Sequence, residues 1–495
     1  MEHELLLECI INEKTVRARV NPGIVLLDFL RRTERLTGTK EGCREGDCGA
    51  CTVLLGERSG GSVVYKTVNS CLFPVGDAYG KHVVTIEGLN QPTGLNPVQQ
   101  ALVDDVGTQC GFCTPGFVIS LTACCIDFAG GLTETVAETD AQRRRSGTYE
   151  DVVRDGVDGN ICRCTGHTPI KKAVRRISTY LTRTLNMTAA PLAQLVEHRI
   201  LPEYFLSIAQ RLGELPVRQQ EDQSSINGGS ILVSGGTDLY VQKAFTMHTI
   251  SQRRLTTAES GREIGESGGE LIIPAEATIE EIRLSGIIGR YFPDVRDQLL
   301  LFGSSPIRHR ATIAGNIANA SPIGDMTCLL MALDALIELQ DGTSHRTVPL
   351  RKFYSGYKQL DISANEIIRS IRIRIPKSTH RLSFEKVSRR QYLDIASVNT
   401  AMAFDLEGTM MLDVSISAGG VGPTMLHCAR TSELLSGREM NADVLSAALH
   451  EVQREISPIS DARGSAGYKR MLLRQLIAAH VMKYFPAAVK KEALA

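Results

Sequence analysis

The stretch Gly42-Cys43-Arg44-Glu45-Gly46-Asp47-Cys48-Gly49-Ala50-Cys51 decides how the first part of this chain must fold. Its three cysteines stand with four and then two residues between them, and Cys71 follows after nineteen more. Three thiolates offered from one loop converge only if the backbone turns tightly. Gly42, Gly46 and Gly49 permit such turns and leave amide N–H groups free to point at sulfur. Cysteine is often a small core residue, but this spacing within a glycine-rich loop suits core packing poorly. Outward from the loop, residues 4–20 read as two apolar strands around Asn12-Glu13-Lys14, and residues 25–36 carry apolar positions at helical spacing. Further strands are expected at 51–55, 63–68 and 82–85, so a small sheet crossed by one helix is predicted for residues 1–88.

The whole chain has 495 residues, too many for one core, and at about 150 residues per domain three or four domains are expected. Lys plus Arg equals Asp plus Glu at 55 each, so no basic field exists to hold nucleic acid or an anionic membrane. The dense positive run Arg143-Arg144-Arg145 sits in a polar stretch and reads as a solvated loop. Residues 1–14 lack a basic leader and read as a strand, and the apolar run 329–339 is broken by Asp334. The expected compartment is therefore the cytoplasm, where thiols stay reduced. Thirteen cysteines there call for metal rather than disulfides, and eleven of them precede residue 165.

The C-x4-C-x2-C…C spacing of Cys43, Cys48, Cys51 and Cys71 is the plant-type [2Fe–2S] pattern. Zinc also accepts four thiolates, though usually through paired C-x2-C knuckles. A second set follows in Gln109-Cys110-Gly111-Phe112-Cys113-Thr114-Pro115-Gly116 and Asn160-Ile161-Cys162-Arg163-Cys164-Thr165-Gly166-His167. Residues 96–129 and 168–185 read as helical, and each pair precedes a helical stretch, so four thiolates can meet where helix N–H groups favour anionic sulfur. Zinc remains an alternative for this set on spacing alone. Cys124 and Cys125 lie among Leu121, Ile126 and Phe128 and read as core. Residues 130–159 form a long polar insertion.

Further on, Ile231-Leu232-Val233-Ser234-Gly235-Gly236-Thr237-Asp238-Leu239 is a strand entering a Gly-Gly turn, whose amides can cradle a pyrophosphate. It is not the GxGxxG fingerprint. A second small-residue stretch, 311–325, includes Thr312, Ile313, Ala314, Gly315, Asn316 and Asp325 and again clears space for a ligand. From about residue 382 alternating strands at 401–406 and 411–417 precede terminal helices.

The phrases QCGFCTPG and NICRCTGH, in this order after the first cysteine set, closely resemble the iron–sulfur domains of the xanthine dehydrogenase family of molybdenum hydroxylases. His167, where relatives usually carry Tyr, and the insertion before Asn160 depart from the pattern without removing a ligand. The resemblance implies a multidomain α+β chain in four parts. These are a β-grasp [2Fe–2S] ferredoxin domain at 1–88, an all-α helical-bundle [2Fe–2S] domain at 89–185, a vanillyl-alcohol-oxidase-type FAD-binding domain at 229–380, and an α+β C-terminal flavoprotein subdomain at 381–495. Residues 186–228 are expected as a linker. It implies one cluster on Cys43, Cys48, Cys51 and Cys71 and another on Cys110, Cys113, Cys162 and Cys164, with Gln109 touching a pterin. FAD contacts are implied at Leu232, Val233, Ser234, Gly235, Gly236, Thr237, Asp238 and Leu239, at Phe302, at Thr312, Ile313, Ala314, Gly315 and Asn316, and at Asp325. Arg430 falls where animal relatives have a flavin-side Lys, and Ser388-Arg389-Arg390-Gln391 matches the start of the last subdomain. The implied partner is a molybdopterin-binding large subunit, two of each chain per assembly, with purine oxidation there and NAD+ as acceptor. An aldehyde or N-heterocycle substrate, or a non-catalytic zinc module, is the alternative. No residue of this chain is expected to be an acid or base on the substrate.

Overall fold

The computed structural model describes residues 4–130, 153–166, 168–185, 190–216, 231–250, 252–255 and 263–488. Most of the expected insertion, His167, and residues 186–189 and 217–228 of the expected linker lie outside the described residues. Two compact units result, Met1–Arg254 with Ser304–Arg310, and Leu255–Gly303 with Ala311–Ala495.

In the first unit β1 (Leu5–Ile11) and β2 (Lys14–Val20) form a hairpin through Asn12, which takes φ 53°. Asn tolerates that left-handed region better than most residues. With β3 (Thr52–Ser59), β4 (Ser62–Asn69) and β5 (His82–Val84) they make one sheet in the order β2-β1-β5-β3-β4. The β1–β5 pair is parallel and the other neighbours are antiparallel. Alternate residues of β1 serve opposite faces. Leu7, Cys9 and Ile11 pack with Phe29 and Leu30, while Ile10 packs with the helices on the other side. That two-sided burial is why the strand reads as nearly continuous apolar sequence. The helix crossing the sheet is short, Leu26–Asp28, and continues as a π turn over Phe29–Thr33. A β-grasp results.

The helices α1 (Pro97–Asp104), α2 (Thr114–Ala129) and α3 (Thr168–Thr184) follow. Asn96 starts α1 with a capping box, its side chain accepting from the Gln99 amide at 2.8 Å while Gln99 accepts from the Asn96 amide at 3.0 Å. Pro97 suits the first turn. The central α2 is buried nearly all round, whereas α3 buries Ile170, Ala173, Val174, Ile177 and Leu181 along one stripe.

Residues 186–228 are not simply a linker where described. They carry α4 (Pro191–Glu197) and α5 (Ile208–Glu214), and Leu195, Phe205, Ile208 and Leu212 are buried in the same core as α2 and α3. Each such side chain contributes about 1.5–3 kcal/mol, more than the polar run after residue 218 suggests. The strand–turn–helix β6 (Ile231–Val233) and α6 (Thr237–Gln242), with β7 (Gln252–Arg254) parallel to β6, also packs in this unit. Tyr240 and Met247 bury against Val25, Leu27 and Leu72. A two-stranded ribbon cannot bury its own apolar face, and this one is covered by its packing within the first compact unit.

In the second unit β8 (Gly265–Ser267) and β9 (Glu270–Pro274) precede α7 (Ile313–Ala318) and α8 (Asp325–Ala332). Then come β10 (Leu336–Asp341), β11 (Ser344–Pro349) and β12 (Ile367–Arg374), and the antiparallel sheet order is β11-β10-β12-β9-β8. A second antiparallel sheet runs through β13 (His380–Val387), β14 (Val398–Glu407) and β15 (Met410–Gly419), with two-residue strands at Leu426–His427 and Arg438–Glu439 both on β15. Its core is shared with α9 (Ala429–Leu435), α10 (Ala442–Glu455) and α11 (Ala466–Tyr484). Among the described residues no helix is long and apolar enough to cross a membrane.

Candidate functional site

The first cysteine loop is wound by three left-handed residues, Arg44 at φ 57°, Gly46 at φ 76° and Gly49 at φ 68°. Arg44 carries a Cβ penalty there, and its guanidinium is held by Asp28 at 2.6 Å and Glu41 at 2.6 Å. The amides of Glu45 and Asp47 both donate to Cys43 Sγ at 3.3 Å. Asn69 donates to the Gly46 carbonyl at 2.8 Å and Ser70 to the Cys51 carbonyl at 2.7 Å, so the strand end before Cys71 is tied to the loop. The thiols act in pairs. Donation from Cys48, ahead of the amides of Glu45 and Asp47, holds the Cys43 thiol at about 5, while Cys48 is raised by the same contact. Cys71 lowers Cys51 by donating to it and is itself raised well above the ordinary thiol range.

The second set behaves likewise. Cys164 Sγ lies 3.7 Å from Cys110 Sγ, and both are exposed. Cys113 is pushed up to about 12 by burial first and by Cys162 second. Burial acts most strongly on Cys162 and opposes its ionisation, yet the hydroxyl and amide of Thr165 leave it lowered. The Thr165 amide donates to Cys162 Sγ at 3.1 Å. Among the described residues no three His, Cys, Asp or Glu side chains converge as a single ion requires. Two thiol pairs per set suit a two-iron group, each iron taking two thiolates.

The two loops touch. The Ile161 amide donates to the Cys48 carbonyl at 3.1 Å, and Asn160 Nδ2 donates to the Gly49 carbonyl at 3.1 Å. A Cβ on Gly116, in the first turn of α2, would lie 2.2 Å from the Gly49 carbonyl oxygen, and a Cβ on Gly49 would lie 2.2 Å from that of Gly159. Only glycine at both positions allows this approach. Asp158 accepts from the Ser305 amide at 2.9 Å and pairs with Arg308 at 3.0 Å, its side chain fully buried and that of Arg308 2 % exposed. Gln109 is exposed beside Cys110.

The expected flavin residues fall in both units. In the first, Gly236 takes φ 74° before α6, the left-handed turn expected of a phosphate cradle, with Val233 buried and Leu232 exposed. In the second, Thr312 caps α7 by accepting from the Gly315 amide at 3.2 Å. Asn316 Oδ1 accepts from the Thr327 amide at 3.3 Å, tying α7 to α8. Asp325, at the start of α8, pairs with Lys386 at 2.7 Å and accepts from Asn399 Nδ2 at 2.6 Å. Lys386 also donates to the Leu301 carbonyl at 2.7 Å, next to Phe302. Sequence reading missed Lys386 and Asn399, because single polar residues in strands carry no spacing signal. Arg430, by contrast, is over half exposed and pairs with Glu451 at 3.1 Å. Arg389 donates to the Ala462 carbonyl at 2.6 Å, and Arg390 pairs with Asp394.

Thiol pairs backed by amide donors suit iron–sulfur groups, and a left-handed glycine turn suits a dinucleotide, as in the class of iron–sulfur flavoproteins. Family models agree with that class. A 2Fe-2S iron-sulfur cluster binding domain matches residues 9–75 and a [2Fe-2S] binding domain residues 85–175. The FAD binding domain in molybdopterin dehydrogenase matches 219–378, and the CO dehydrogenase flavoprotein C-terminal domain matches 383–483. Similar proteins include xanthine dehydrogenase 1 of Arabidopsis thaliana, 28% identical over 89% of this chain and 37% of the relative. Aldehyde oxidase 1 of Rattus norvegicus is 27% identical over 98% of this chain and 40% of the relative. A solved carbon monoxide dehydrogenase of Hydrogenophaga pseudoflava is similar at 24% identity and TM-score 0.49, covering 54% of this chain and 91% of that one. The chain thus spans under half the length of the curated relatives it matches. Together the four models cover most of the chain, mark it as an electron-transfer iron–sulfur/FAD module and make it similar to the molybdenum hydroxylases.

Proposed function

We propose that this chain is the iron–sulfur flavoprotein subunit of a cytoplasmic xanthine dehydrogenase, serving a partner subunit that oxidises hypoxanthine or xanthine at a molybdopterin centre. Cys110, Cys113, Cys162 and Cys164 hold the [2Fe–2S] cluster on the partner's side, and Cys43, Cys48, Cys51 and Cys71 hold the one towards FAD. When bound, these groups supply one-electron steps and a flavin exit that delivers an electron pair as hydride to NAD+. The observation that carries the reading is the Ile161–Cys48 hydrogen bond at 3.1 Å. It joins a residue adjacent to Cys162 to a ligand of the other set through a few covalent bonds and one N–H···O contact.

The chain's own residues do the positioning. Amides of Glu45, Asp47 and Thr165 donate to sulfur and so favour the electron-richer state of each site. Gly49 and Gly116 let the loops approach. Cys110 and Cys164 are exposed beside Phe112 at 46 % and Ile161 at 41 %, leaving an edge for a partner carrying the molybdopterin. The proposed assembly holds two copies of each chain.

Xanthine follows the names of the xanthine dehydrogenases, NAD+ is part of this proposal, and the likeness to an aldehyde oxidase favours an aldehyde as the second reading. The purified complex is expected to form NADH from xanthine or hypoxanthine. Turnover of aldehydes with none on purines overturns the substrate assignment, and fewer than about four irons per chain overturns two occupied clusters.

A further inference from the structure

The segment Ser304–Arg310 lies between Phe302 and Thr312 in sequence but packs within the iron–sulfur unit. Its last residue, Arg310, has three partners. Arg310 Nε donates to the Gly235 carbonyl at 2.8 Å, its Nη2 pairs with Asp77, and its guanidinium lies 4.6 Å over the Phe73 ring. The side chain is 15% exposed and Asp77 is 18% exposed, so solvent competes little for these contacts. Phe73 stands two residues after Cys71, and Asp77 lies in the helical turn Val75–Ala78. Gly235 is the first glycine of the Gly-Gly turn.

We propose that Arg310 is a positioning residue for the flavin's pyrophosphate, fixing the Gly235–Gly236 peptide from the cluster-bearing domain. The inference rests on the reading that this turn belongs to FAD. In a trans peptide the carbonyl and the following N–H point in opposite directions. A carbonyl of Gly235 held by Arg310 therefore turns the Gly236 N–H away from Arg310. Gly236, at φ 74°, continues into α6, whose first turn is closed by the Tyr240 amide on the Gly236 carbonyl at 3.0 Å. Without the tether this peptide is free to rotate, since glycine offers little steric resistance. Lysine cannot replace arginine here. One ammonium cannot donate along the carbonyl, pair with Asp77 and stack flat on Phe73 together, as the planar fork does.

The test uses the holoprotein with Arg310→Lys, Asp77→Asn and Gly236→Ala, stripped of flavin and titrated with FAD and with riboflavin, which lacks phosphate. Cluster absorbance and EPR report whether the domain is intact. With clusters unchanged, Arg310→Lys should weaken FAD at least about tenfold and leave riboflavin affinity unchanged, the loss expected of a hydrogen bond made by a charged group. Asp77→Asn should shift FAD in the same direction by a smaller factor. FAD affinity within twofold of wild type in Arg310→Lys, with Gly236→Ala weakened, overturns the role of Arg310 alone. FAD affinity unchanged in both overturns the assignment of the turn to FAD. Equal losses for FAD and riboflavin would show general damage and also sink the proposal. If Arg310→Lys loses its clusters, Asp77→Asn decides: intact clusters with unaltered FAD affinity refute the tether.

Discussion

At the scale of single residues, the thiols and one histidine make separable predictions. Cys113 is paired with Cys162 and takes no part in the other set. Cys113→Ser is expected to abolish one reduced-cluster EPR signal and to stop substrate from reducing the flavin, while FAD stays bound. Flavin reduction at the normal rate in that variant would break the proposed route. His82 is fully buried between Tyr65, whose hydroxyl lies 2.8 Å from Nδ1, and the Asn12 carbonyl 2.9 Å from Nε2. The carbonyl can only accept, so Nε2 carries the proton and Nδ1 accepts from Tyr65. Burial pushes this histidine down from 6.5 to about 3. Below pH 6.5 the unfolded chain therefore binds a proton that the folded chain refuses until about 3. Stability attributable to His82 is full above pH 6.5 and is lost as pH falls, approaching about 1.4 kcal/mol per unit. His82→Gln should be less stable at pH 7 but lose stability less steeply between pH 6.5 and 4. Urea midpoints of the cluster-loaded protein across that range measure it, and identical slopes would refute the assignment.

At the scale of elements, two contacts set how the cysteine loops meet. A methyl on Gly116 would strike the Gly49 carbonyl, a backbone atom with no rotamer to escape into. Gly116→Ala is expected to destabilise by about 1–3 kcal/mol and to weaken the magnetic interaction between the two reduced clusters in EPR. The Asp158–Arg308 pair is buried on both sides. Removing one partner strands the other charge, so Asp158→Ala should cost about 3–5 kcal/mol, whereas replacing both by apolar residues of similar volume should cost far less. Thermal denaturation of the single and double variants separates these. The cysteine spacings, the hairpin at Asn12 and the Pro97 helix start were legible in sequence, because each rests on chemistry a few residues long. The Asp158–Arg308 pair, Lys386 beside Asp325, and α4 and α5 were not. Their partners lie tens to hundreds of residues away, and sequence periodicity records which face is apolar, not what will cover it. Arg430 shows the converse. Its position was legible only through resemblance, and its side chain pairs with Glu451.

At the scale of the whole molecule, the division of labour yields the last prediction. All eight thiols and their amide donors belong to one compact unit, Met1–Arg254 with Ser304–Arg310. Thr312, Asn316 and Asp325, expected at the flavin, belong to the other. The cluster sites thus draw no ligand from the unit holding these flavin residues, and loss of FAD should leave their geometry intact. Protein stripped of flavin is therefore expected to keep about four irons and four sulfides per chain. In the assembled enzyme, substrate should still bleach the cluster absorbance at a rate close to that of the intact form, because the proposed route has electrons enter at Cys110 and Cys164, both exposed. NADH formation should stop and return on adding FAD. Loss of iron along with the flavin would show that the two units fold as one. Bleaching that itself requires FAD would reverse the proposed direction of flow, placing the flavin between the substrate and the thiol-held groups.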